Sequence, residues 1–135
     1  MPRSIRVRVP EIHDRATGGS LVNRRLVTAL RRRADVRVRV DRPNDGEAST
    51  GSEPAEAGSP DDSVTLVDSL RIGDPGPGRN VLLAHYLHCV DPEVEEADAA
   101  ERERSQLREY AAIIAPSAWV RDRLRAVGIS DDRVF

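Results

Sequence analysis

Residues 5–40 decide the fold, and they read IRVRVPEIHDRATGGSLVNRRLVTALRRRADVRVRV. Arginine alternates with a β-branched residue at both ends of this stretch, which predicts half-buried strands over 5–9 and 35–40. The residues between them predict a helix with Ser20 as its N-cap. Apolar side chains recur there at every fourth position, at Val22, Leu26 and Leu30. A strand, a helix and a strand in this order predict a parallel pair joined by a right-handed crossover.

The rest of the chain continues this alternation. Further strands are predicted at 64–67, 81–84 and 111–115, with the first residues of a sixth at 134–135. Helices are predicted at 93–109 and from Ser117, the N-cap, to Gly128. The glycines and prolines of 73–78 predict a loop without a helix. The fold class is therefore α/β, a Rossmann-like, mostly parallel sheet flanked by helices, in one domain over 1–135.

Residues 42–62 differ in composition from everything around them. They contain no valine, isoleucine, leucine or aromatic residue, and they carry six acids and one arginine. Such a segment buries too little apolar surface to offset the entropy lost on ordering. We therefore predict a disordered surface insertion in the domain.

The charge is unevenly distributed. All 21 basic residues are arginine and face 23 acids, a net charge of −2. Residues 1–42 hold twelve arginines against four acids, a balance of +8, and 43–135 hold nine against nineteen, a balance of −10. No aromatic residues interleave with the arginines and no nucleic-acid-binding motif appears, so we expect no nucleic acid partner.

Four arginines share one face of the first two predicted strands, at Arg6, Arg8, Arg37 and Arg39. A doubly wound sheet is normally covered on both faces. Two interpretations are open. Either further chain covers this face, or the side chains reach along apolar surface to acids.

Several classes of protein are excluded by the pattern. No segment approaches the ~20 apolar residues of a membrane span, and the chain opens directly into a strand pattern without a leader-like apolar stretch. We expect a cytoplasmic protein, with peripheral membrane contact left open. Cys89 is the single cysteine, which excludes an internal disulfide. His85, His88, Cys89 and Asp91 match no familiar zinc spacing, so no metal is expected, and Cys89 is interpreted as a small buried side chain.

Candidate binding residues cluster where the parallel strands end, because ligands of open α/β sheets bind outside the carboxyl ends of the strands. The Gly18-Gly19-Ser20 turn is either an anion site at a helix start or a plain tight turn. His85 ends an inner strand and is interpreted as a hydrogen-bonding or electrostatic group in a cleft. Ser117 is either an N-cap alone or also a substrate contact.

A nicotinamide-type Rossmann enzyme is one alternative. It requires Gly-x-Gly-x-x-Gly directly after the first strand and an acid about 20 residues further on. Asp41 lies in a suitable place for the acid. The glycines do not fit, because eight residues separate Val9 from Gly18 and the third glycine is missing.

Five segments in order resemble a known family. They are RATGGS at 15–20, LVDSL at 66–70, LLAH at 82–85, IAPS with WVRDRL over 114–124, and DRVF at 132–135. Together they resemble the N-terminal domain of retaining nucleotide-sugar glycosyltransferases of the GT-B fold, the family-four group. Ser69 stands where the family usually has glycine, and 42–62 and 73–78 replace segments that usually contain helices.

The resemblance implies an acceptor-side domain of an enzyme that transfers a sugar, with retention, from a nucleotide-sugar donor to an unknown acceptor. It implies a catalytic His85 that contacts the transferred sugar, and no cofactor apart from the donor substrate. The substrate-binding residues that it implies are Arg15, Gly18, Gly19, Ser20, Asp91 and Ser117. The family places its diphosphate- and nucleotide-binding residues in a second, C-terminal domain absent from these 135 residues, so we expect this fragment alone to be inactive. A stand-alone α/β binding or regulatory module without catalysis is the other alternative.

Overall fold

The two arginine–valine stretches form neighbouring parallel strands, β1 (Arg3–Arg8) and β2 (Val36–Asp41). The computed structural model describes residues 3–11, 17–43, 63–91, 93 and 97–135. The predicted disordered insertion at 42–62 therefore lies outside the described residues, apart from 42 and 43. The parallel pairing predicted for the strand–helix–strand unit is confirmed.

Three more strands complete a five-stranded parallel sheet in the order β2-β1-β3-β4-β5. They are β3 (Val64–Asp68), β4 (Arg79–Leu83) and β5 (Ala112–Ile114). The predicted beginning of a sixth strand is a single parallel bridge between Ile113 and Val134. With three helices against this sheet, the predicted α/β, Rossmann-like class is confirmed.

Helix α1 (Gly18–Arg31) covers one face of β1, β2 and β3. Val27 packs there against Val7 and Val9, because the alternation that directs Arg6 and Arg8 to the opposite face turns these valines to this one. The prediction of Ser20 as N-cap was wrong. Thr17 is the N-cap, and Ser20 is the third helical residue of a reciprocal capping box, in which each side chain accepts from the other's backbone N–H.

Helices α2 (Ala97–Leu107) and α3 (Ala118–Ala126) cover the opposite face over β4 and β5. Leu107 and Leu124 are fully buried there against Leu82 and Ile113. The described part of α2 begins four residues later than predicted, and 94–96 lie outside the described residues. Among the described residues, no helix combines the length and apolar character needed to cross a membrane.

On the face opposite α1, arginines of β1 and β2 pair with acids. Asp41 accepts from Arg6 at 3.0 Å and from Arg39 at 3.2 Å, and the Arg8 guanidinium lies 3.9 Å away. Arg8 also reaches Asp74 at 2.6 Å. For these three arginines, the interpretation in which the side chains reach acids is confirmed. The Asp41 carboxylate, which the nicotinamide alternative would use for a ribose, is instead engaged by arginines.

The connection from β3 to β4 lies against the same face. Its Arg71 pairs with Asp74 and donates to the Asp41 carbonyl oxygen at 3.1 Å. Burial opposes the ionisation of Asp74 most strongly, but the hydrogen bond from Arg71 and the charges of Arg8 and Arg71 outweigh it and lower its pKa. The buried Tyr110 hydroxyl donates to the Ile72 carbonyl oxygen at 2.7 Å, so the first half of this connection, which opens with the 3-10 turn Ser69–Arg71, is fixed against the sheet.

We expect Asp41→Asn to lower the free energy of unfolding by about 2 kcal/mol, because a half-buried set of arginines loses its shared counter-charge. The Asp41 side chain is 15% exposed. Asp35→Asn is the matched control, since that carboxylate is 58% exposed and pairs with the equally exposed Arg33, so we expect it to leave the stability almost unchanged. Urea denaturation of both variants measures the difference, and equal losses would contradict the role given to Asp41.

Candidate functional site

A buried polar cluster lies at the carboxyl edge of the sheet, where α1 meets the ends of β3 and β4. Asn23 of α1 donates from Nδ2 to Asp68 Oδ2 at 2.6 Å, and its Oδ1 lies 2.9 Å from His85 Nε2. Asp68 Oδ1 accepts from the backbone N–H of Leu70 at 2.9 Å. Asn23 is 0% and Asp68 2% exposed. We call Asn23, Asp68 and His85 the edge cluster.

The hydrogen bonds of the edge cluster assign the histidine tautomer. The Asn23 amide nitrogen faces Asp68, and its oxygen, which only accepts, faces His85. His85 Nε2 therefore carries the hydrogen that it donates to Asn23. Within the described part of the chain, Nδ1 of His85 makes no hydrogen bond. That nitrogen is the one left to contact a ligand.

The start of α1 packs against the ring of His85. A Cβ placed on Gly19 would lie 3.6 Å from ring atoms Cγ and Cδ2, an ordinary van der Waals contact, while nothing lies within 4 Å of the Cβ position of Gly18. The backbone N–H groups of a first helical turn have no intrahelical acceptor, and the first turn of α1 holds no acid. The predicted Gly18-Gly19 turn therefore presents amides beside the imidazole.

A pocket of about 330 Å³ opens on the other side of this edge. Its aromatic and ionisable lining consists of His85, Tyr86, Asp91, Glu93 and Trp119. Its apolar lining consists of Ala84, Leu87, Val90 and Val120. We call it the edge pocket. Its volume and mixed lining suit a small, partly hydroxylated ligand.

The structure brings some predicted substrate-binding residues together and separates others. His85 and Asp91 line the edge pocket, and Gly19 lies against His85. The hydroxyl of Ser20 is committed to the capping box, where it also donates to the Thr17 carbonyl oxygen at 3.0 Å. Ser117 is the N-cap of α3, accepting from the Val120 N–H at 3.3 Å, and it does not line the pocket. Arg15 lies outside the described residues.

Asn23 and Trp119 were not predicted as functional. Asp68 opens the segment 68–70, one of those expected at the ligand-binding edge of the sheet, and the structure places it there beside Asn23. Trp119 was noted solely within a helix segment. Trp119 is 55% exposed, and its ring carries the guanidinium of Arg123 at 5.9 Å from its centroid. The signal available in the sequence was a tryptophan one turn after a predicted strand end. Large aromatic residues that are exposed at such a position commonly mark contact sites.

Cys89 belongs to the buried core and does not line the edge pocket. Its backbone N–H donates to the buried Glu103 carboxylate at 2.8 Å. Burial, and then the neighbouring Glu103 charge, raise the pKa of the Cys89 thiol to about 12. Among the described residues, no group of three histidines, cysteines or acids is arranged to hold a metal ion.

We expect Cys89 to react with thiol reagents roughly a thousandfold more slowly in the folded chain than in urea at pH 8, because the thiolate is the nucleophile. A thiol of pKa about 12 is ionised at that pH in roughly one molecule in ten thousand, against roughly one in ten at the ordinary pKa of 9.0. Since Cys89 is the single cysteine, the labelling rate reports this site alone. Comparable rates in the two states would contradict its burial.

In comparisons with known proteins, no family model, no curated protein and no solved structure matches the chain.

Proposed function

We propose that this chain is the acceptor-side domain of a retaining, GT-B-type glycosyltransferase, in which the edge pocket holds a sugar against His85. The observation that supports this most is the edge cluster. A buried asparagine, itself bonded to a buried carboxylate, fixes the Nε2 nitrogen of His85, and the same histidine lines an aromatic, acid-lined pocket of about 330 Å³. The resemblance of the sequence to the family-four group supports the same function.

The pocket lining has the chemistry of saccharide binding. Sugars present hydroxyl groups around their edge and C–H groups on their faces, so they fit sites that combine an aromatic ring with carboxylates. Trp119 and Tyr86 supply exposed rings, and Asp91 and Glu93 supply acceptors. In the neutral ring, His85 Nδ1 accepts a hydrogen bond from a sugar hydroxyl, and Asn23 holds the imidazole in that orientation.

The donor diphosphate would approach from the α1 side. The uncompensated amides and positive dipole end of α1 favour an anion next to the Gly18-Gly19 turn. His85 packs against Gly19 and also lines the edge pocket. The two parts of a nucleotide sugar, the diphosphate and the sugar, would thus both lie next to His85.

Transfer requires more than this domain supplies. Departure of the diphosphate is accelerated by positive groups that stabilise its developing charge, and the resemblance assigns these groups to a second domain. We expect the 135-residue chain to bind nucleotide sugars with a Kd on the order of millimolar, since it contributes half of the contacts, and to release no sugar from them.

The test is a titration of the ¹⁵N-labelled chain with a panel of nucleoside-diphosphate sugars, followed by amide chemical shifts. The proposal expects shifts at Gly18, Gly19, His85 and Tyr86. It also expects His85→Ala to weaken binding of the nucleotide sugar while leaving binding of the free nucleoside diphosphate unchanged. Shifts at Gly18 and Gly19 with a nicotinamide dinucleotide, and none with any nucleotide sugar, would overturn the proposal in favour of the nicotinamide alternative.

A matched control separates loss of contact from loss of folding. His88→Ala removes a histidine that stacks edge-on against Tyr86 with ring centroids 5.1 Å apart, but that does not line the edge pocket. We expect it to retain nucleotide-sugar binding. Transfer of sugar by the isolated chain, or equal losses in both histidine variants, would also count against the proposal.

A further inference from the structure

We infer that the edge pocket selects a positively charged sugar, an amino sugar whose ammonium group pairs with Asp91 and Glu93. This inference rests on the proposed function and names the substrate class of the same site. The wall of the edge pocket carries carboxylates and no arginine among the described residues, which is unusual for an arginine-rich chain. The protein holds 21 arginines.

The ionisable side chains of the wall are two carboxylates and one imidazole. Asp91 Oδ1 accepts from the Glu93 N–H at 2.9 Å, which fixes this carboxylate, and among the described residues its Oδ2 makes no hydrogen bond and can meet a ligand. Glu93 is exposed at the pocket mouth. Behind His85 lies the buried Asp68 carboxyl group, whose Oδ2 is 3.8 Å from His85 Nε2. An anionic ligand in the edge pocket would meet the Asp91 and Glu93 carboxylates at short range.

One cation lies close by, outside the wall. Arg123 donates from Nε to the Val90 carbonyl oxygen at 3.1 Å and places its guanidinium over one face of the Trp119 ring. It thereby fixes the indole and reduces the negative potential without reversing it, since one arginine faces two carboxylates of the wall. The rings of Trp119 and Tyr86 add a further preference for ammonium groups, because aromatic faces attract cations.

The test uses Trp119, which is the single tryptophan of the chain, so that intrinsic fluorescence reports the pocket wall directly. The probes are 6-amino-6-deoxyglucose, glucose and glucuronate, which differ at one exocyclic carbon and are positive, neutral and negative near neutral pH. We expect the amino sugar to bind roughly tenfold more tightly than glucose, and glucuronate to bind most weakly.

Two variants assign this preference to the carboxylates. Asp91→Asn combined with Glu93→Gln should bring the three dissociation constants to within about twofold, since the amides keep the shape and remove the charge. Glu101→Gln, which removes one charge from the exposed surface of α2, should leave the tenfold preference intact. Added salt is a second measurement on the unaltered chain, and it should reduce the amino-sugar preference while glucose affinity stays constant.

The outcomes separate this inference from the proposed function. Glucose binding equal to amino-sugar binding would overturn the inference and leave the proposed function standing. Cyclohexylammonium binding as tightly as the amino sugar, with no glucose binding, would support a cation-selective pocket and overturn the sugar-transfer proposal. Failure of all three sugars to alter Trp119 fluorescence would overturn both.

Discussion

Asp68→Ala is expected to lower the free energy of unfolding by about 3 kcal/mol, one of the two largest effects of single substitutions considered for this chain. The carboxylate is 2% exposed. Its removal leaves the buried Asn23 amide and the partly buried Leu70 N–H without their acceptor. A buried donor that loses its partner costs more than the net value of the hydrogen bond, because it is not rehydrated.

Denaturant unfolding of Asp68→Ala, Asn23→Ala and the double variant measures the coupling between the two side chains. We expect a coupling of about 1.5–3 kcal/mol, since either truncation alone already breaks the 2.6 Å hydrogen bond. Asp122→Ala is the control at an exposed carboxylate and should cost below about 0.5 kcal/mol. Additive losses at Asn23 and Asp68 would refute the edge cluster as a unit.

Gly78→Ala is expected to cost about 3–4 kcal/mol, from backbone strain and a steric clash together. Gly78 has a φ of +76°, a left-handed conformation that disfavours any residue with a Cβ. In addition, the new Cβ would fall well inside van der Waals contact of the Ser63 carbonyl oxygen. That oxygen accepts from the Arg79 N–H at 3.0 Å where β3 and β4 begin to pair, so it cannot withdraw without disturbing the sheet.

Gly128→Ala is the matched control for this substitution. Gly128 follows the last turn of α3 with a φ of +89°, and nothing lies within 4 Å of its Cβ position. Strain alone should cost about 1 kcal/mol there. Thermal or denaturant unfolding of the two variants thus separates strain from clash, and equal losses would show that the Ser63 contact has no part in the effect.

The strands and the helix-free loop were predictable because they depend on local pattern. Alternation placed β1 and β2 within one or two residues, and the glycines and prolines of 73–78 excluded a helix. The helix start was harder. Thr17 and Ser20 are both good capping residues, and only the backbone geometry shows that Thr17 caps while Ser20 closes the box. The role of Gly78 was hidden for a similar reason, since composition does not say which glycine approaches Ser63.

The edge cluster was only partly predictable. His85 and the Gly18-Gly19 turn follow from the rule that ligands bind where parallel strands end. The role of Asn23 does not follow from this rule. An asparagine among arginines on an amphipathic helix has the pattern of a solvent-facing residue. Its burial depends on how closely α1 approaches β3 and β4. The pairing of the arginines of β1 and β2 with acids also depends on contacts between residues distant in sequence. Asp74 is far from Arg8 in sequence, but its carboxylate lies 2.6 Å from the Arg8 guanidinium.

The most direct test of the edge pocket as a sugar site is the ¹⁵N chemical shifts of the His85 ring at about pH 8, where ordinary imidazoles are neutral, with and without saturating 6-amino-6-deoxyglucose. His85→Ala assigns the signals. The account predicts a protonated Nε2 in both states, held by Asn23, and a shift of Nδ1 when it accepts a hydrogen bond from the sugar. A free ring protonated on Nδ1, or a Nδ1 signal that the sugar does not move, would contradict it.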